Sequence, residues 1–496
     1  MKKNDVFSID TLRQGYALKL DGAMGTQIQR FNLSESDFRQ GLPIAPARDV
    51  KGDNECLNLT RPDVIRSIHQ SYVDAGADII ETNSFGANYL VQQDYGLSSL
   101  APDMALAAAR LAREAADAAP RKVWVAGSMG PGSKSLSLVA DFARPEWRPF
   151  SFDEVAAAYE AQARALIEGG VDLIIVETCF DALNAKAALY GVHQARPGFP
   201  VIVSVSVSGS SGRVLTGQSL EAFFTAVSHA PLAAFGLNCS MGMEGLLPLV
   251  RSLGSWCPVP LVCYPNAGLP NASGGYDESP EMMAHHIVGL DGEVNIYGGC
   301  CGTTPDHIRM LPALRSRAVP SNKDSLVLSG LEMWDMGDKP IEVSTAANVG
   351  KSAGFAGMME NGEYEEALYS VSDELAMDGS SLLDVNLDGL PDTPAAMERF
   401  VRLIQSDPSV SSAALFIDSA DWDTLLQGLK NAQGKSLAGP LDPHEAGFAE
   451  KAAVIRSLGA AVLVKSCEEH AEVRRVLVDA GIPPQDIVFE DRVIEK

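Results

Sequence analysis

Eight short apolar runs, rich in β-branched residues, recur along the first three hundred residues. Each leads through a loop into an amphipathic helical pattern. The runs fall at 17–22, 77–82, 123–128, 171–177, 201–207, 233–238, 260–265 and 294–298. Strands that alternate with helices build parallel βαβ units, and eight such units predict a closed (β/α)8 barrel. The helices between them are readable. Residues 153–168 carry apolar side chains at helical spacing, acids in the first turn and Gly169-Gly170 at the end, the arrangement that suits the helix dipole and its termination. Residues 104–119 are Ala-rich with Arg and Glu on one face, and 63–75 start after Arg61-Pro62 and stop at Gly76.

A second alternating series follows, with strands near 341–345, 380–387, 413–418, 435–441, 460–466 and 486–490. Helical patterns such as 395–405 and 447–458 separate most of them. Six strands fall short of eight, so the expected fold is α/β, a (β/α)8 TIM barrel followed by a second, incomplete or reduced βα barrel whose open edge needs cover. The expected domains are 1–318, a linker or strap at 319–340, and 341–496.

The 496 residues carry a formal charge of −25. That balance argues against nucleic acid, whose phosphates attract Lys and Arg, and against anionic membrane surfaces. The N-terminal segment has no apolar core of a secretory signal, and no run approaches the roughly 18 apolar residues of a membrane span. The eight cysteines make no regular disulfide framework, so reduced thiols and a cytoplasmic location are expected.

The chemistry-bearing residues sit just after the strands: Asp21-Gly22, Glu81-Thr82-Asn83, Glu177-Thr178, Asn238-Cys239, Asn266 and Cys300-Cys301. In a catalytic barrel the C-terminal strand ends form the active face. Cys239 ends one strand and Cys300-Cys301 another. Three thiolates on one face can bind Zn²⁺ and leave its fourth tetrahedral position open, which marks a catalytic site. The glycines of GGCCG are expected to let the backbone turn so that both sulfurs face one ion. A free thiol has a pKa of about 8.5 and is mostly protonated at neutral pH, whereas a metal-bound one is deprotonated. The residues alone leave two other readings open, packed free thiols or a vicinal disulfide. Cys56, Cys179, Cys257, Cys263 and Cys467 read as core packing, and His285-His286 as a helix surface rather than a ligand pair.

LDGAMGTQIQ (20–29), GDNECLNLTRPDVI (52–65), GADIIETNSFGAN (76–88), VDLIIVETCFDALNAKAAL (171–189), GLNCSMG (236–242), YPNAGLP (264–270) and YGGCCGTTPDHI (297–308) together resemble the homocysteine-binding domain of the cobalamin-dependent methionine synthases, in order, through about residues 15–315. The resemblance implies that Cys239, Cys300 and Cys301 hold zinc, with homocysteine sulfur as fourth ligand and Asn266 in that place when substrate is absent. It implies that Asp21 and Glu177 grip the substrate ammonium and that the amides of Gly22, Ala23 and Met24 receive its carboxylate. Glu81, Thr82, Asn83 and Ser84 would line the pocket.

The second half follows the same family's order, in which a barrel binding methyltetrahydrofolate comes next. GSSLLDVNLDGLPDTPAAMERFVRLI (379–404) and LFIDSADWDTLLQGLKNAQGK (415–435) resemble two of its segments, and Asp384, Asn386 and Asp418 match polar positions that contact the pterin. Other contacts depart: a Glu and an Arg are replaced near Thr345 and Ala346, a Lys at Asp421, an Asn around Ala438-Gly439, and a DPN segment by Glu490-Asp491-Arg492. A pocket that loses several partners binds weakly. The resemblance therefore implies a homocysteine S-methyltransferase that takes its methyl group from a methylcorrinoid, the cobalamin residing on a separate protein or a missing domain, with weak methyltetrahydrofolate binding. Two alternatives stand beside it: betaine or S-methylmethionine as donor, and a non-catalytic protein that binds homocysteine or a corrinoid carrier.

Overall fold

The structure, a computed structural model, describes residues 7–12, 15–272, 274–321, 324–337 and 339–496. The eight expected strands of the first half are all present: β1 Leu18–Lys19, β2 Ile79–Glu81, β3 Trp124–Met129, β4 Leu173–Cys179, β5 Val201–Val205, β6 Leu232–Asn238, β7 Leu261–Tyr264 and β8 Ile296–Tyr297. They pair in parallel in the order β1-β8-β7-β6-β5-β4-β3-β2, and a parallel bridge between Leu20 and Ile79 joins the ends. This is the expected eight-stranded barrel.

Alternation along each strand fills it in layers. Trp124, Leu173, Ile175, Ile202, Ala234, Val262 and Ile296 form one buried cluster inside the wall. Phe7 belongs to it and meets Trp124 edge to face at 5.3 Å. The intervening residues, such as Val125, Ile174, Val176 and Phe235, belong to the outer core under the helices. The helices begin where their caps dictate: the Ser151 side chain accepts from the Glu154 amide and Glu154 reciprocates at the start of Phe152–Glu168, a box that satisfies two orphan donors.

Between the barrels the structure is more than a linker. β9 Leu326–Ser329 and β10 Met333–Gly337 form an antiparallel hairpin. Leu326 and Leu328 are buried in the same cluster as Ile341, Leu382, Phe416 and Leu463, so the hairpin closes the lower end of the second barrel. That barrel has β11 Ile341–Asn348, β12 Leu382–Asn386, β13 Ala414–Asp418, β14 Leu437–Leu441, β15 Ala461–Val464, β16 Ile487–Phe489 and β17 Val493–Glu495. All pair in parallel, in the order β16-β15-β14-β13-β12-β11-β17. The reduced barrel expected from sequence is thus seven-stranded and nearly closed. Its edge is covered from within: β16 pairs with β15, and after Glu490–Arg492 the same run pairs with β11 at the opposite edge as β17.

The barrels meet through side chains. Lys186, 1% exposed, donates to the carbonyls of Ala432 and Gly434 at 2.9 and 3.0 Å. Lys430 pairs with Asp153 at 2.8 Å and Arg399 with Glu146 at 3.3 Å. Among the described residues no helix is long and apolar enough to cross a membrane.

Candidate active site

The period of two that buries Trp124, Leu173 and Ile202 inside the wall points every second residue above them the same way. Continuing upward it reaches Ser128 on β3, Glu177 on β4, Ser204 on β5, Asn238 on β6 and Tyr264 on β7. Apolar layers below therefore give way to a polar layer above, at the C-terminal strand ends. A cavity of about 620 Å³ opens there, within the range of small-molecule sites. Its lining includes Asp21, Gly22, Ala23, Met24, Glu81, Thr82, Asn83, Ser84, Glu177, Cys239, Cys300 and Cys301, which are the expected site residues apart from Asn266 and the three of the second barrel.

The three sulfurs lie within 4.8 Å of one another, close enough to share one ion with metal–sulfur bonds of about 2.3 Å. Hydrogen bonds from Cys300 and Cys301 push the Cys239 thiol far down towards thiolate, and the same bonds to Cys239 push Cys300 and Cys301 up. Three soft donors that share protons in this way are the kind of set a zinc ion suits. Asn266, 3% exposed, stands against Cys239, and its amide oxygen accepts the Cys301 N–H at 3.1 Å. It thus braces the cysteine loop.

Unusual backbone sets these positions. Thr178, Cys239 and Ser240 take φ of 58°, 58° and 62°, a left-handed conformation that is rare outside glycine and concentrates at functional sites. The expectation for the glycines of GGCCG holds for one of the three. Gly298 and Gly299 are not in the left-handed region; a Cβ at Gly298 would stand 2.8 Å from Leu20 Cβ, and one at Gly299 2.5 Å from Thr303 Cγ2. They allow close approach, while Gly302, at φ 82°, makes the turn.

Opposite the sulfurs lie three carboxyls, buried Asp21 and Glu177 and half-buried Glu81. Asp21 is 1% exposed and Glu177 7%. Asp21 Oδ2 accepts the Glu81 N–H at 3.1 Å, while Asp21 Oδ1 and Glu81 Oε1 have no hydrogen-bond partner. Glu177 Oε1 accepts from Ser128 Oγ at 2.5 Å. Burial raises all three, Glu177 to about 7, and Glu177 raises its two neighbours further. Crowded carboxyls with unused acceptors favour a cationic group. Thr82 and Ser84 hydroxyls share a bond at 2.6 Å, and Asn83 Nδ2 reaches Asn54 O and Asn58 Oδ1, so these residues brace the wall.

Thr303, Ser128 and Asn238 have roles the sequence reading did not assign. Thr303 Oγ1 takes the Ala23 N–H at 3.1 Å and donates to Cys300 O at 2.7 Å, which ties the Asp21 loop to the cysteine loop. Strand alternation was the available signal for Ser128 and Asn238; nothing in the sequence pointed to Thr303.

In the second barrel the same alternation raises Asp384 and Asn386 above Leu382, and Asp418 above Phe416. The structure brings them together, already bonded to protein partners. Asn348 Nδ2 donates to Asp384 Oδ2 at 2.7 Å and Asn386 Nδ2 to Asp418 Oδ2 at 2.9 Å, while Lys351 lies 3.9 Å from Asp384 and also pairs with Glu495. Burial pushes Asp384 up to about 7, with Asp418 adding to it.

A family model described as homocysteine S-methyltransferase matches residues 18–314, the first barrel. Among solved structures, the oxidised form of the homocysteine methyltransferase MmuM from Escherichia coli is 24% identical over 60% of this chain and 96% of its own, with a TM-score of 0.49. Its metallated form is 25% identical over 61% and 97%, with a TM-score of 0.45. The carboxyl transferase domain of Rhizobium etli pyruvate carboxylase with 3-bromopyruvate is 12% identical over 60% of this chain and 45% of its own, TM-score 0.34.

Proposed function

The chain belongs to the homocysteine S-methyltransferase family, and on that premise we propose that it transfers a methyl group from a methylcorrinoid to the sulfur of homocysteine, giving methionine. The observation that carries the reading is the meeting of three thiols within 4.8 Å and three carboxyls in one cavity. Cys239, Cys300 and Cys301 would hold zinc, which when bound supplies Lewis acidity that keeps a substrate thiol as thiolate at neutral pH. Asp21 and Glu177 receive the α-ammonium, with Glu81 beside them. The amides of Gly22 and Met24 face the α-carboxylate; that of Ala23 is already given to Thr303. Ser128 holds the Glu177 carboxylate in place. The substrate is thus fixed at both ends, with its sulfur towards the cysteines and the open mouth left for the donor, which is the entropic part of catalysis. Such thiols suit a reducing compartment, the cytoplasm.

The choice of donor rests on the ordered resemblance of both halves to methionine synthases. In the second barrel Asp384, Asn386 and Asp418 would be the pterin contacts. Asp384 Oδ2 is taken by Asn348 and Asp418 Oδ2 by Asn386, while Asp384 Oδ1 has no partner; the contacts already spent within the protein support a donor that arrives methylated on a corrinoid carrier rather than one loaded here from methyltetrahydrofolate. The test supplies zinc-loaded protein with homocysteine and, in parallel, methylcobalamin, betaine or S-methylmethionine, and measures methionine. Turnover with methylcobalamin is expected. Turnover confined to the sulfonium or betaine would replace the donor, and binding without turnover would remove the enzymatic reading.

A further inference from the structure

Asn238 makes no direct contact that the reaction requires, yet it is fully buried and uses every hydrogen-bonding position of its amide. Its Oδ1 accepts the Thr178 N–H at 3.0 Å and the Ser204 hydroxyl at 2.7 Å. Its Nδ2 donates to Thr178 Oγ1 at 2.8 Å and to Cys300 Sγ at 3.8 Å. The orientation of an amide is often ambiguous, but here it is forced. A backbone N–H can only donate, so the oxygen must face Thr178 N. The NH₂ group must then face the sulfur, and Cys300 must be the acceptor.

Two consequences follow. A donor aimed at the sulfur fixes the direction in which Cys300 points, since a hydrogen bond is directional. The same amide also grips both polar groups of Thr178, the residue after Glu177, whose φ of 58° turns its N–H inward. One side chain therefore spans from β6 to the end of β4 and to the loop after β8. It sets the distance between the acid that meets the substrate ammonium and the sulfur assigned to the metal.

We infer that Asn238 is a positioning residue that donates to the Cys300 sulfur and fixes it in register with Glu177. The inference rests on the proposed role of Cys300 as a metal ligand. It is tested with Co(II) as the probe metal. Asn238→Asp keeps the volume and both acceptor bonds but removes the N–H donors, and Asn238→Ala removes the amide without adding charge. Each is first checked for an unchanged circular dichroism spectrum. In either variant that folds, Co(II) affinity against a chromogenic chelator should fall about 10- to 100-fold, the thiolate-to-cobalt charge-transfer band should move, and KM for homocysteine should rise. Ser204→Ala, which leaves the amide oriented by Thr178, should keep the band in place. Folded Asn238 variants with wild-type affinity and band would overturn the inference and leave the metal reading standing. A wild-type protein that binds Co(II) without a charge-transfer band would overturn both.

Discussion

Glu177 and Asp384 are both carboxyls carried to the top of a barrel by strand alternation, and both are legible as such in the sequence. Their surroundings give them different fates. Glu177 faces a cavity, holds one hydroxyl, and has the sulfurs across from it. A charge-assisted bond to a substrate ammonium contributes about 1.5–3 kcal/mol, so Glu177→Gln, which can still accept from Ser128, should raise KM for homocysteine about 10- to 100-fold with a smaller effect on kcat. An unchanged KM would remove Glu177 from the ammonium site. Asp384 instead is closed in by Asn348 and Lys351, with its pKa raised by burial to about 7 against about 3.9 in an unfolded chain. Between those values the unfolded state binds fewer protons than the native one, so this group lowers stability as pH rises from about 4 to 7 and takes no further toll above. Asp384→Asn should therefore raise the melting temperature at pH 8 more than at pH 4.5. An equal shift at both would show that the carboxyl is not held protonated. What the sequence withheld at this scale was backbone conformation. Nothing in the letters of Thr178, Cys239 and Ser240 announces a positive φ, and of the glycines of GGCCG only Gly302 makes the expected turn, while Gly298 and Gly299 serve close approach.

At the scale of elements, the strands were legible because a buried parallel strand is a continuous apolar run between helical patterns. Every one of the eight in the first barrel falls within the expected interval or shifts by a residue or two at its ends. The second barrel was legible as six strands, and its seventh was missed for a physical reason. Val493–Glu495 is an edge strand of three residues with exposed Ile494, too short to show a pattern. The hairpin was missed likewise: Met333–Gly337 alternates weakly and is half-buried throughout but for exposed Asp335. Its partner strand carries the packing. Leu328 is fully buried at the lower end of the barrel, beneath Phe416 and Leu463. Leu328→Ala should cost about 2–5 kcal/mol, the lost transfer energy plus the cavity. Chemical denaturation followed by Trp334 fluorescence measures it, since the Trp334 indole N–H donates to Ser412 O at 2.9 Å and reports the hairpin's seating. A loss well under 1 kcal/mol would mean that the hairpin is an attached strap rather than part of the core, since surface changes stay in that range.

The whole molecule is joined at a buried lysine. Lys186 lies on the helix Ala182–Ala195 of the first barrel and gives its ammonium to two carbonyls of the second, with no carboxylate in ion-pairing range among the described residues. Nearby His229 is pushed down to about 3, chiefly by burial and then by Lys186, with Arg456 and Lys435 adding to it. Burial alone lowers Lys186 to about 7, against about 10.4 when exposed. Between these values the separated or unfolded barrels bind the additional proton, so the native arrangement gains stability as pH rises through that window. The neutral amine still donates to both carbonyls, which is why the contact survives the loss of charge. Lys186→Met fills the space but leaves Ala432 O and Gly434 O unpaired, each at about 1–3 kcal/mol. The difference in calorimetric stability between wild type and Lys186→Met should therefore be larger at pH 9.5 than at pH 6.5, because only the wild type escapes the charge penalty on going up. A difference that shrinks with pH would mean that Lys186 is held charged and that its carbonyl cage stabilises the ammonium more than burial disfavours it.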